Sequence, residues 1–161
     1  MTKALIVVDV QKFFLYAAPD DLVAKIVRHI RKHDYDAIAF TVFKNNLESN
    51  FVKSLNWTKC SRDEDTILPR EFDPYINAQN VVSRSTYSAF SGTNLDQYLR
   101  ERNIDTVVLC GVDTDACVLA TAFSAFDLGY KIRVDFAITY SNGELEDEAR
   151  AILERSLTAR R

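Results

Sequence analysis

The chain has 161 residues, 47% of them apolar and 27% charged, which suits one domain with a sizeable core and excludes a disordered chain. A formal charge of −3 offers no electrostatic footprint for nucleic acid, and two histidines are too few for most zinc enzymes. No apolar run approaches the ~20 residues of a membrane span, and Asp9 interrupts the first run too early for a signal peptide.

Ala4-Leu5-Ile6-Val7-Val8 reads as a strand buried on both faces, and Asp9 follows it at once. Residues 20 to 33 read as a helix that turns Leu22, Val23, Ile26, Val27 and Ile30 inward. His29 and His33 fall on its solvated face, among Arg28, Arg31 and Lys32, with no third metal ligand nearby. Ala37 to Val42 is a second strand. Lys44 to Gln79, with Pro69, Pro74, Trp57 and Cys60, is a long excursion with at most a short helix, and excursions of that length inside compact domains usually serve function.

Asn80 to Ser83 is a third strand candidate, with Arg84 just beyond it. A helix opens at Gly92-Thr93 with Thr93 as its N-cap. Thr106 to Cys110 is a strand ending at Gly111. Asp113-Thr114-Asp115 then opens a helix that buries Val118, Leu119, Ala122, Phe123 and Phe126 and stops at Gly129. Lys131 to Ile138 is a further strand, and Glu144 to Leu157 a helix with Ala149, Ile152, Leu153 and Leu157 inward.

Strands alternating with helices predict a single α/β domain over 1–161, a mostly parallel sheet between two helical layers. Ligand sites in such sheets lie beyond the carboxyl ends of the strands. Asp9, Arg84 and the segment Gly111 to Cys117 all fall there. Cys117 sits in the first turn of its helix, where free amides and the dipole favour a thiolate, so it is the candidate nucleophile. Cys110, inside a strand, reads as a small buried hydrophobe. With no histidine at hand, Asp9 is the candidate proton acceptor and Arg84 the cation for the pair.

Three segments carry a family resemblance: Ala4 to Gln11, Tyr87-Ser88-Ala89-Phe90-Ser91-Gly92-Thr93-Asn94-Leu95, and Gly111-Val112-Asp113-Thr114-Asp115-Ala116-Cys117-Val118. In these the chain resembles the isochorismatase-like cysteine hydrolases, which include nicotinamidases, carbamoylsarcosine amidohydrolases and isochorismatases. The resemblance implies a three-layer α/β/α fold with about six strands. It implies an Asp–Lys–Cys triad, in which Asp9 matches the Asp and Cys117 the nucleophile. It places oxyanion-hole N–H groups at Asp113 and Cys117, a cis bond between Val112 and Asp113, and pocket aromatics at Phe14, Trp57, Tyr87 and Phe90.

Two departures stand out. Arg84 occupies the Lys position; it keeps the charge but brings a bulkier planar fork. The segment Thr41-Val42-Phe43-Lys44-Asn45-Asn46 lacks the Asp and His with which nicotinamidases hold a metal. The leading expectation is a metal-free, cofactor-free cysteine hydrolase of a small amide, working through a Cys117 thioester. The alternatives are a catalytically impaired relative that binds a metabolite or a protein, and vinyl-ether hydrolysis of the isochorismatase kind. The expected partners are a small-molecule substrate and further copies of the chain in a dimer or tetramer, with no nucleic acid and no membrane. Three cysteines without a CxxC pair fit a reducing, cytoplasmic setting.

Overall fold

A computed structural model describes residues 1–157. The first apolar run forms β1 (Lys3–Val8), with Ala4 to Val8 buried on both faces. That requires a central strand, and β1 pairs in parallel with β2 (Ala37–Phe43) on one side and β4 (Thr106–Val112) on the other. β3 (Val81–Arg84) flanks β2, and β5 (Lys131–Tyr140) flanks β4. The order is β3-β2-β1-β4-β5, all parallel. The sheet therefore has five strands among the described residues rather than about six, and β5 is an edge.

Helices cover both faces. On one side α2 (Leu22–Lys32) packs Leu22, Ile26, Val27 and Ile30 against Leu5, Val7 and Phe40. Full burial of a side chain such as Ile26 stabilises the fold by about 1.5–3 kcal/mol. On the other side α4 (Leu95–Arg100), α5 (Leu119–Asp127) and α6 (Glu146–Leu157) pack against Ala4, Ile6, Val8, Val107 and Leu109. None of the described helices is long and apolar enough to cross a membrane.

Several sequence expectations change in three dimensions. α5 meets the sheet through Thr121, Ala122 and Ala125, and those small side chains bring it close. Phe123 and Phe126 consequently face outward, 36% and 51% exposed, and Ile152 on α6 is also outside. The helix expected at Thr93 begins at Leu95 with Asn94 at the N-cap position; the Thr93 hydroxyl instead donates to Ala89 O and accepts from Leu95 N. His29 is not on a solvated face. Its ring lies between Asp135 of β5 (3.1 Å) and the Tyr35 hydroxyl (2.5 Å), and burial lowers its pKa.

The excursion contains α3 (Asn50–Lys53) and two 3-10 turns, Asp63–Thr66 and Arg70–Tyr75. Buried amide side chains hold it to the sheet. Gln11 donates to Phe43 O and Asp65 O, while Asn45 donates to Trp57 O and Lys59 O. A short helix not expected from the sequence, α1 (Lys12–Leu15), follows Gln11.

The chain enters at the centre of the sheet, builds outward to β3, then crosses to β4. β1 and β4 are therefore the adjacent strands from which it departs in opposite directions, the place where open α/β sheets bind ligands. Their close approach depends on Gly111, which has φ +110; a Cβ there would lie 2.2 Å from Val8 O.

Candidate active site

Asp9 caps β1 in a left-handed conformation, φ 52, which turns its carboxylate over the mouth of the sheet. Thr41 of β2 fixes that carboxylate. Its hydroxyl donates to Asp9 Oδ1 at 2.6 Å, while the Asp9 N–H donates to Thr41 O at 3.2 Å. Arg84 is the last residue of β3 rather than the one after it, and its buried side chain donates from Nη2 to Asp9 Oδ2 in a close ion pair. The Phe43 ring lies 5.6 Å from the guanidinium carbon.

β4 extends through Val112, one residue past Gly111, and the Val112–Asp113 peptide is cis, in keeping with the resemblance. Cys117 follows in a single π-helical turn, Thr114–Val118, ahead of α5. Such turns are rare and concentrate at functional sites. Asp9, Arg84 and Cys117 come together there, at 0%, 5% and 8% exposure.

Closure changes the expected thiol chemistry. Burial pushes the Cys117 thiol up, the Asp9 carboxylate adds to that, and Arg84 pulls it down without prevailing. Desolvation thus works against the thiolate that the helix start favours. Cys60 and Cys110 are buried as well; burial raises both, Cys60 to about 12.

The aromatic residues divide into two groups. Phe14, Trp57 and Tyr87 belong to one chain of rings that also contains Phe13, Phe43 and Phe51. Phe51 and Tyr87, 4.6 Å apart, open onto a surface cleft of about 600 Å³ beside α3. Phe90 points elsewhere and stacks on Tyr130 at 5.9 Å, against the opposite helical layer. The sequence reading missed Thr41, Phe43 and Phe51. Only Thr41 carried a signal, a lone hydroxyl in an apolar strand. The groups after β2 do not suit a divalent cation: the Asn45 amide oxygen already accepts from Asn46 N and the Ser49 hydroxyl, and Lys44 and Arg84 are positive.

Asp113 adds a titrating group beside the nucleophile. Burial pushes its carboxyl up to about 6, and Asp115, Asp9 and Glu146 add to the rise, while the Asn142 N–H at 3.3 Å opposes it. The folded state therefore holds this proton more tightly than the unfolded chain, and stability falls as pH rises from about 4 to 6. Asp113→Asn removes that dependence. In thermal melts the variant is expected to exceed the wild type above about pH 6.5 and to converge with it near pH 4. A difference that does not change with pH contradicts this origin.

Comparison with known proteins agrees with this geometry. The Isochorismatase domain model matches residues 3–147. The isochorismatase family protein YwoC of Bacillus subtilis is 32% identical over 94% of this chain and 86% of its own length. Among solved structures, the pyrazinamidase/nicotinamidase of Streptococcus mutans is 34% identical with a TM-score of 0.77, covering 97% of each chain. N-carbamoylsarcosine amidase of Thermoplasma acidophilum is 25% identical with a TM-score of 0.80, covering 98% of this chain and 93% of its own. The chain belongs to the isochorismatase family.

Proposed function

We propose that the protein is a metal-independent cysteine hydrolase of a small amide. The observation that carries this reading is the meeting of Asp9, Arg84 and Cys117 at the β1/β4 switch point, with solvent nearly excluded. Relatives and structural neighbours named as nicotinamidases and amidases support the C–N bond as the target.

When an amide enters, the Cys117 Sγ attacks the carbonyl carbon as its proton passes to Asp9. The carbonyl oxygen becomes an oxyanion facing the Asp113 and Cys117 N–H groups, and one such donor is worth about 3 kcal/mol. The C–N bond breaks, the Asp9 proton leaves with the amine, and an acyl thioester remains on Cys117. Water then attacks the thioester and gives a proton to Asp9. The thiolate departs and recovers that proton, releasing a carboxylic acid. Arg84 does not exchange a proton; it holds the Asp9 carboxylate and offsets the negative charge on sulfur. The aromatic chain around Phe43 and Phe51 walls off the site.

A panel of small amides tests this reading by ammonia release. At least one member is expected to be turned over by the wild type and not by a variant lacking the Cys117 thiol. Turnover that survives loss of the thiol rules the thioester route out.

A further inference from the structure

β5 leaves the sheet with an open side. Among the described residues no strand lies beyond it, so its outer main-chain groups have no ladder partner. Such an edge is a template for another strand, and proteins commonly guard it with charged side chains. Here the charges on the edge are Arg133 and Asp135, and they sit in a pattern that is its own complement.

From Ile132 to Phe136 the side chains alternate. Ile132, Val134 and Phe136 pack on the side of α5 and α6, whereas Asp135 meets His29 of α2 on the other side. Arg133 shares the α2 side by the two-residue period of a strand. It is exposed, and no carboxylate pairs with it among the described residues. Asp135 holds His29 Nδ1 at 3.1 Å and accepts from Ala137 N–H at 3.0 Å, yet its side chain remains 31% exposed. Beside the apolar face runs an open groove of about 1080 Å³, bordered by Phe126, Leu153 and Leu157 together with the three strand residues.

The order Ile132-Arg133-Val134-Asp135-Phe136 is apolar, cation, apolar, anion, apolar. Directly opposed residues of an antiparallel pair have their side chains on one face. A two-fold axis perpendicular to the sheet therefore passes beside one residue of each copy. With Val134 on that axis, Arg133 opposes Asp135 of the second copy at two places. Ile132 opposes Phe136 twice, and Val134 opposes Val134. Moving the axis to Arg133 sets two guanidinium groups against each other, and moving it to Asp135 sets two carboxylates together. Charge thus selects the register that also keeps each apolar face on its own helical layer. A foreign strand would have to bring matching charges, whereas a second copy brings them by symmetry.

We infer that β5 pairs antiparallel with β5 of a second copy of this chain, with Val134 on the two-fold axis, joining the two five-stranded sheets into one. The pairing is independent of the hydrolase reading.

Light scattering on the whole chain after size-exclusion chromatography, at micromolar concentration, is expected to give twice the mass of one copy. Arg133→Asp places like charges opposite each other at two points and is expected to weaken the dimer at least ~10-fold. Combining Arg133→Asp with Asp135→Arg restores the opposed charges, and the dimer is expected to return. Val134→Cys is expected to yield a disulfide-linked dimer on oxidation, because opposed Cα atoms in such a pair lie about 4.5–5.5 Å apart. Ile132→Cys, which faces Phe136 in this register, is expected to stay unlinked. A monomeric wild type, a dimer undisturbed by Arg133→Asp, or cross-linking no better at position 134 than at 132 overturns the inference. The cysteine variants decide alone if the charge-swapped chain does not fold.

Discussion

Asp9→Asn is expected to lower stability by about 3–5 kcal/mol, because it leaves the buried Arg84 guanidinium without its counter-charge. For a chain of this length that corresponds to a fall of about 10 °C in the thermal midpoint. The substitution is a clean probe of charge. Asn tolerates the left-handed backbone found at φ 52, and its side-chain oxygen can still accept from Thr41. Shape and main chain are kept while the ion pair is lost. The same change removes the proton acceptor for Cys117, so hydrolysis is expected to drop by roughly 10²–10⁴-fold. A midpoint within about 2 °C of the wild type means that the pair does not organise this site.

Cys117→Ala has the opposite profile. It deletes one sulfur from a buried turn, and the expected destabilisation is about 1 kcal/mol. It also deletes the only atom able to carry the acyl group, so turnover is expected to fall by at least ~10³-fold. The two variants therefore separate what holds the site together from what reacts in it. Melts and ammonia release measured side by side should show Asp9→Asn damaged strongly in both and Cys117→Ala damaged mainly in the second. A Cys117→Ala protein that keeps a tenth or more of the activity contradicts nucleophilic catalysis.

The centre of this molecule was legible because its chemistry is local. A buried parallel strand must be continuously apolar, so β1 and β4 announce themselves, and a charged residue abutting such a run marks the carboxyl end. That logic singled out Asp9 and Arg84, and the start of the following helix singled out Cys117; the fold brings the three together. Local logic failed where contacts are long-range. The excursion between Lys44 and Gln79 is held by Gln11, Asn45 and Asn80 bonding to backbone oxygens, a pattern with no periodicity, so its ring chain through Phe51 was invisible. Phe123 and Phe126 were misjudged because helical spacing gives a stripe but not how near the helix sits, and the alanines of α5 decide that. His29 was misjudged because its partner, Asp135, lies over a hundred residues away on the edge strand. At Cys117 the spacing shows a helix start, whereas the desolvation that opposes a thiolate there depends on the whole fold.

The central claim is that the fold gives Cys117 a proton acceptor that it gives to neither other cysteine. Iodoacetamide, itself a small neutral amide, tests this most directly when the adducts are mapped by mass spectrometry near neutral pH. All three thiols are buried, Cys117 slightly less so than the others, so the comparison with Asp9→Asn separates the acceptor from exposure. The expected result is alkylation of Cys117 well ahead of Cys60 and Cys110 in the wild type, with that preference lost in Asp9→Asn. Alkylation of Cys117 no faster than Cys60, or a preference that persists without the Asp9 carboxylate, would contradict it.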